Sequence, residues 1–101
     1  MTTCRVIWKF RLPMTDVVRL VDPKPLAVQY DADGVGAAWV EHTVDCDTGQ
    51  PTDGGMMCTV VHVATGQPTM ETDDRTYMGL LVNGPHVWHF YLVTVPVPAE
   101  V

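Results

Sequence analysis

Four histidines, three cysteines and twelve carboxylates are the side chains through which this chain could do acid–base or metal chemistry. Their spacing limits what they can do. His86 and His89 are three residues apart, which in a strand puts the two rings on opposite faces. Cys58 and His62 share a face, but at strand rise their Cα atoms stand roughly 13 Å apart. Neither pair can chelate one ion alone, since zinc needs several ligands converging at about 2.0–2.3 Å. Asp45, Asp47 and Asp53 lie in a glycine-rich stretch with a faint likeness to calcium loops. The ligand spacing and terminal glutamate of an EF-hand are absent. Glu41 beside His42 is a pair that any surface could hold. The chain has no serine, which excludes serine nucleophile chemistry, and no phosphate-binding loop, dinucleotide fingerprint or Cys-x-x-Cys pair. Cys58 falls within an apolar run and reads as an inert core thiol. The expectation is a protein without enzymatic activity, metal or cofactor.

The elements that must carry these residues are strands. At 101 residues the chain has room for one core, and a valine-rich apolar half favours pleated sheet. Residues 1–95 are expected to form a single β domain and 96–101 an extended, proline-containing tail. Cys4 to Leu12 alternates cleanly, with Val6, Trp8, Phe10 and Leu12 on one face and Arg5, Ile7, Lys9 and Arg11 on the other. Trp8 should therefore point into the core with Val6 and Phe10, leaving Arg5, Lys9 and Arg11 as a basic strand face in solvent. Asp16 to Val21 reads as a short strand or an extended edge, and Leu26 to Tyr30 with Val35 to Val44 as a hairpin. In its returning arm Trp39, beside small alanines, is assigned to the core. Asp45 to Gly55 is a loop, Met56 to Thr65 a strand, and Gly66 to Asp74 a second polar connection.

Thr76 to Thr94 is the organising hairpin, two apolar runs around Asn83-Gly84, a pair that accepts the positive φ of a tight turn. About seven short strands of this kind predict an antiparallel β-sandwich or a small, partly open barrel.

Charge is unevenly spread. Residues 1–24 hold five cations against two carboxylates, while the rest hold Arg75 against ten, for a net charge of −6. That balance argues against nucleic acid as a partner. No apolar run reaches the roughly 18 residues of a membrane span, so no membrane association is expected. Three cysteines in no framework suggest reduced thiols and a cytoplasmic protein.

Taken in order, Val6-Ile7-Trp8-Lys9-Phe10, Trp39 ahead of an acidic turn, Thr65-Gly66, Tyr77-x-Gly79 and Val87-Trp88-His89-Phe90 form a pattern. It resembles a family of small uncharacterised proteins from tailed phages and their bacterial hosts, over roughly residues 5–91. Gln67 stands where that family often has a histidine, the loop at 45–55 is longer, and the chain continues for ten residues beyond Tyr91. The resemblance implies a phage setting and no mechanism.

The expectation that follows is a non-catalytic binding protein in the cytoplasm of an infected bacterium, occluding a host or defence protein. A self-assembling accessory part of the virion is the alternative, and a small metal-dependent enzyme the third. Both faces of strand 86–94 are apolar, and a core can cover only one unless a second sheet or molecule covers the other. His86, Trp88, Phe90 and Leu92 are accordingly the candidate interaction surface, with a homodimer as the expected assembly.

Overall fold

The computed structural model describes residues 2–67 and 75–95 of the chain. They form seven strands: β1 (Thr3–Arg11), β2 (Val18–Leu20), β3 (Lys24–Tyr30), β4 (Gly36–Asp45), β5 (Met56–Ala64), β6 (Arg75–Asn83) and β7 (His86–Thr94). The extended tail expected at 96–101 and most of the polar connection ending at Asp74 lie outside the described residues.

The strands build two antiparallel sheets packed face to face, one ordered β1-β4-β3 and the other β2-β5-β7-β6. This is the sandwich and not the barrel. β3–β4 and β6–β7 are the two hairpins expected. The second is closed at Asn83 opposite His86, and its register shifts by one residue between Tyr77 and Gly79. β3 lies alongside β6 where the sheets meet, and the Tyr30 hydroxyl donates to the Val82 carbonyl at 2.9 Å to join them.

Alternation decides the core. Ala38 and Val40 from the first sheet meet Leu20, Cys58, Val60, Met78, Leu81, Phe90 and Leu92 from the second, all buried. Trp8 and Phe10 pack against this cluster from β1 while Arg5, Lys9 and Arg11 point away from it, as the alternation of β1 requires. Burying a side chain of this size contributes about 1.5–3 kcal/mol, which is how a domain this small offsets its ordering entropy.

Three expectations are corrected. Trp39 does not enter the core. Ala38 and Val40 on either side of it are fully buried, so strand parity turns the indole to the outer face, where the Lys9 ammonium lies 5.9 Å from its ring centre. Cys4 and Cys46 are not free thiols. They form a disulfide across 42 residues of sequence, with Cα atoms 5.3 Å apart, because the turn after β4 returns Cys46 to the start of β1. The third correction concerns the strip on β7, described next. Cys58, by contrast, is the buried thiol expected, and burial pushes its pKa up.

Candidate functional site

β7 is an interior strand, flanked by β5 and β6, so its two faces are set by what pairs beside it. Phe90 stands next to His62 and Gly79, and Leu92 next to Val60 and Thr76. Phe90 and Leu92 are only 5% and 6% exposed. The strip His86, Trp88, Phe90 and Leu92 is therefore the inner face of the sheet and not an exposed interaction surface. The opposing sheet supplies the cover that the sequence left open. Only the end of the strip emerges. There Trp88 and Phe90, with Leu12, Tyr30, His62 and Asn83, line a cleft of about 250 Å³ at the mouth of the sandwich. The His62 ring meets Trp88 edge-on at 5.5 Å, and exposed His86 approaches Trp88 at 6.4 Å.

The uncovered face of β7 is the other one. Val87, His89, Tyr91 and Val93 point outward, beside Val61 and Val63 on β5 and Tyr77, Leu80 and Val82 on β6. Four of these large apolar side chains remain substantially in water: Val61, Tyr77, Leu80 and Val82. No aspartate or glutamate interrupts this face on β5, β7 or the described part of β6. Its one cation on those strands, Arg75, lies over the Tyr91 ring at 5.0 Å.

At the centre of this face is a polar node. The Tyr77 hydroxyl is 2.9 Å from His89 Nδ1, and Thr65 Oγ1 is 2.7 Å from His89 Nε2. In either tautomer one ring nitrogen donates and the other accepts, and a hydroxyl can answer both, so the ring is held in one orientation. Among the described residues no carboxylate is hydrogen-bonded to the imidazole. The arrangement fixes a hydrogen-bonding group in an apolar surface. Thr65, Tyr77 and His89 come from three of the sequence segments that carried the family resemblance. Sequence spacing alone did not bring them together, because the contact needs the β5–β7–β6 order. Gln67, in place of the histidine often found there, folds back on its own turn, its Oε1 accepting from Ala64 N at 2.8 Å.

The basic strand face is exposed but not free. Arg5 pairs with Glu41 at 2.9 Å, Lys9 with Asp31 at 2.7 Å, and Arg11 more loosely with Asp33 at 3.6 Å. Its Lys9 hydrogen bond, joined by backbone N–H donors from Val35 and Asp33, holds the Asp31 carboxyl down to about 2. Asp45, in the loop that resembled a calcium site, spends Oδ1 on the backbone N–H groups of Asp47 and Thr48. Arg19 anchors the same loop by donating to the carbonyls of Pro51, Thr52 and Gly54. Among the described residues no three histidine, cysteine or carboxylate side chains converge in a way that could hold a metal ion. No helix among the described residues is long and apolar enough to cross a membrane.

Fold and surface together define a small antiparallel β-sandwich whose outer sheet face is apolar and aromatic, with no carboxylate on β5, β7 or β6. The chain belongs to the family described as domain of unknown function DUF7352, whose model matches residues 3–100. No curated protein and no solved structure matches the chain.

Proposed function

We propose that the protein is a non-catalytic binding module that presents the outer face of β5, β7 and β6 to another protein, in the first instance a second copy of itself. The observation that carries this reading is the exposure of Val61, Tyr77, Leu80 and Val82 around one fixed polar node, with no carboxylate on those strands. Contiguous apolar surface of this kind is costly to leave in water and marks interaction sites. On a chain of net charge −6, strands that carry no carboxylate are also where two copies approach with least repulsion. Two-fold stacking would set Tyr77, Leu80 and the His89 node against their equivalents. The resemblance to small phage proteins extends the proposal to its setting, in which the assembled module occludes a host or defence protein.

Light scattering at micromolar concentration tests the first step. The expected result is a dimeric mass that Tyr77→Glu with Leu80→Glu reduces to a monomeric one, with the far-ultraviolet spectrum unchanged. A monomeric mass for the unmodified protein overturns the dimer.

A further inference from the structure

β1 is an edge strand, and its free side has no strand beside it among the described residues. Which of its backbone groups face that side follows from the ladder. Leu12 N donates to the Gly36 carbonyl at one end of the β1–β4 pair, and Cys46 N donates to the Thr2 carbonyl at the other. These bonds put the even-numbered residues of β1 in the hydrogen-bonded positions opposite β4. In an antiparallel pair the alternate residues direct their N–H and C=O the other way. Arg5, Ile7 and Lys9 thus present a run of backbone donors and acceptors to the open side, without partners among the described residues.

Side chains on either face show what fits. On the outer face Arg5, Lys9 and Arg11 line the edge. Their carboxylate partners lie one strand further in, on β4, or in the β3–β4 turn. An incoming strand about 4.8 Å away meets the cations before the carboxylates behind them. On the inner face Val6, Trp8 and Phe10 are only partly buried, with no strand beside them on that side among the described residues. Near the end of the edge a groove of about 300 Å³ opens between β1 and the segment before β2, with Phe10, Met14 and Val18 among its walls.

We propose that the open edge of β1 is a strand-addition site for an extended peptide segment carrying acidic side chains on one face and apolar side chains on the other. Main-chain pairing would supply the affinity, the three cations the preference for acids, and the flank of Trp8 and Phe10 the apolar seat. A second copy of β1 is the wrong occupant. Two-fold pairing about Ile7 sets Arg5 directly opposite Lys9 of the other copy, and like charges placed so repel. The same cations that guard this edge against itself select an acidic partner. This site is distinct from the outer face of the other sheet.

The test uses a capped, fluorescent peptide of alternating glutamate and valine. Fluorescence anisotropy should show saturable binding, weakened about tenfold by Arg11→Glu, a change at an exposed side chain whose own ion pair is loose. Hydrogen exchange should show the amides of Arg5, Ile7 and Lys9 unprotected in the free protein and protected on binding. Equal binding of a lysine–valine peptide would overturn the proposal. So would equal binding of the same peptide N-methylated at its glutamates, which in antiparallel pairing lacks the donors opposite Arg5, Ile7 and Lys9, or protection that appears elsewhere. Protection of the β1 amides in the protein alone, rising with its concentration, would make the occupant another copy and overturn it as well.

Discussion

His42 is the residue whose surroundings most restrict its chemistry. It is fully buried on the inner face of β4, with the Trp8 ring edge-on at 4.0 Å and neither ring nitrogen within reach of a partner among the described residues. Burial pushes its pKa below the usual histidine range, and the Arg5 charge pushes the same way. The folded state therefore keeps His42 neutral while the unfolded chain protonates it below about pH 6.5. The unfolded state binds more protons there, so stability falls as pH drops through that region. Asp31 adds a second, lower phase. Its carboxyl is held at about 2 against an ordinary value of 3.8, so what it contributes is present above pH 4 and lost as pH falls towards 2. Replacing His42 by leucine removes a buried polar ring without a hydrogen-bond partner among the described residues, and such a change is close to neutral or stabilising. Urea melts of His42→Leu should match or exceed the unmodified protein at pH 7 and show a shallower loss of stability as pH falls below about 6.5. A variant that keeps the unmodified slope would place the acid sensitivity elsewhere.

Among the elements, the join between β2 and β5 depends on one position. Gly55 precedes β5 with φ of +80°, and a Cβ there would stand 2.5 Å from the backbone oxygen of Leu20 on β2. A left-handed conformation alone costs a side chain about 1–3 kcal/mol, and the contact is with backbone that has no rotamer to yield. Gly55→Ala should lower the unfolding free energy by about 3 kcal/mol, while Gly54→Ala, at φ of +91° but with nothing near its Cβ, should cost less. Equal losses for the two would mean that conformation and not the close approach sets the cost. The strands themselves were legible because each alternates or runs apolar between turn residues. Faces were legible only where one side is polar, as in β1. β7 is apolar on both sides, and in β4 Ala37 and Trp39 share a face with Glu41 and Thr43, so composition gave no single direction for either. Trp39 and the strip from His86 to Leu92 were accordingly assigned to the wrong face. The Thr65–His89–Tyr77 node was hidden for a different reason, since three strands must assemble before those side chains meet.

At the scale of the whole molecule the Cys4–Cys46 disulfide ties the start of β1 to the turn after β4, across a sequence separation of 42 that takes in nearly all of β1 and the whole of β2, β3 and β4. Nothing in the spacing of three cysteines pointed to that pair, because only the register of β1 on β4 brings Thr3 opposite Asp45 and so the two thiols together. Closing a loop of this length removes about 4 kcal/mol of chain entropy from the unfolded state. Against the roughly 5–15 kcal/mol that holds a domain of this size together, that is a large share. The redox setting thus controls how much of the fold's stability is available, and a reducing cytoplasm withholds it. The third cysteine does not substitute. Cys58 is buried in the core, its thiol pKa raised by burial, so it supplies little thiolate for exchange with the bridge. Thermal melting with and without a phosphine reductant tests this: the midpoint should fall by about 15–30 °C on reduction. Cys46→Ala should melt like the reduced protein whether or not reductant is present, and Cys58→Ala should show the same reductant-dependent drop as the unmodified chain. An unchanged midpoint on reduction would mean that β1 is held by its ladder and by Trp8 and Phe10 alone, and that the bridge adds nothing to the folded chain.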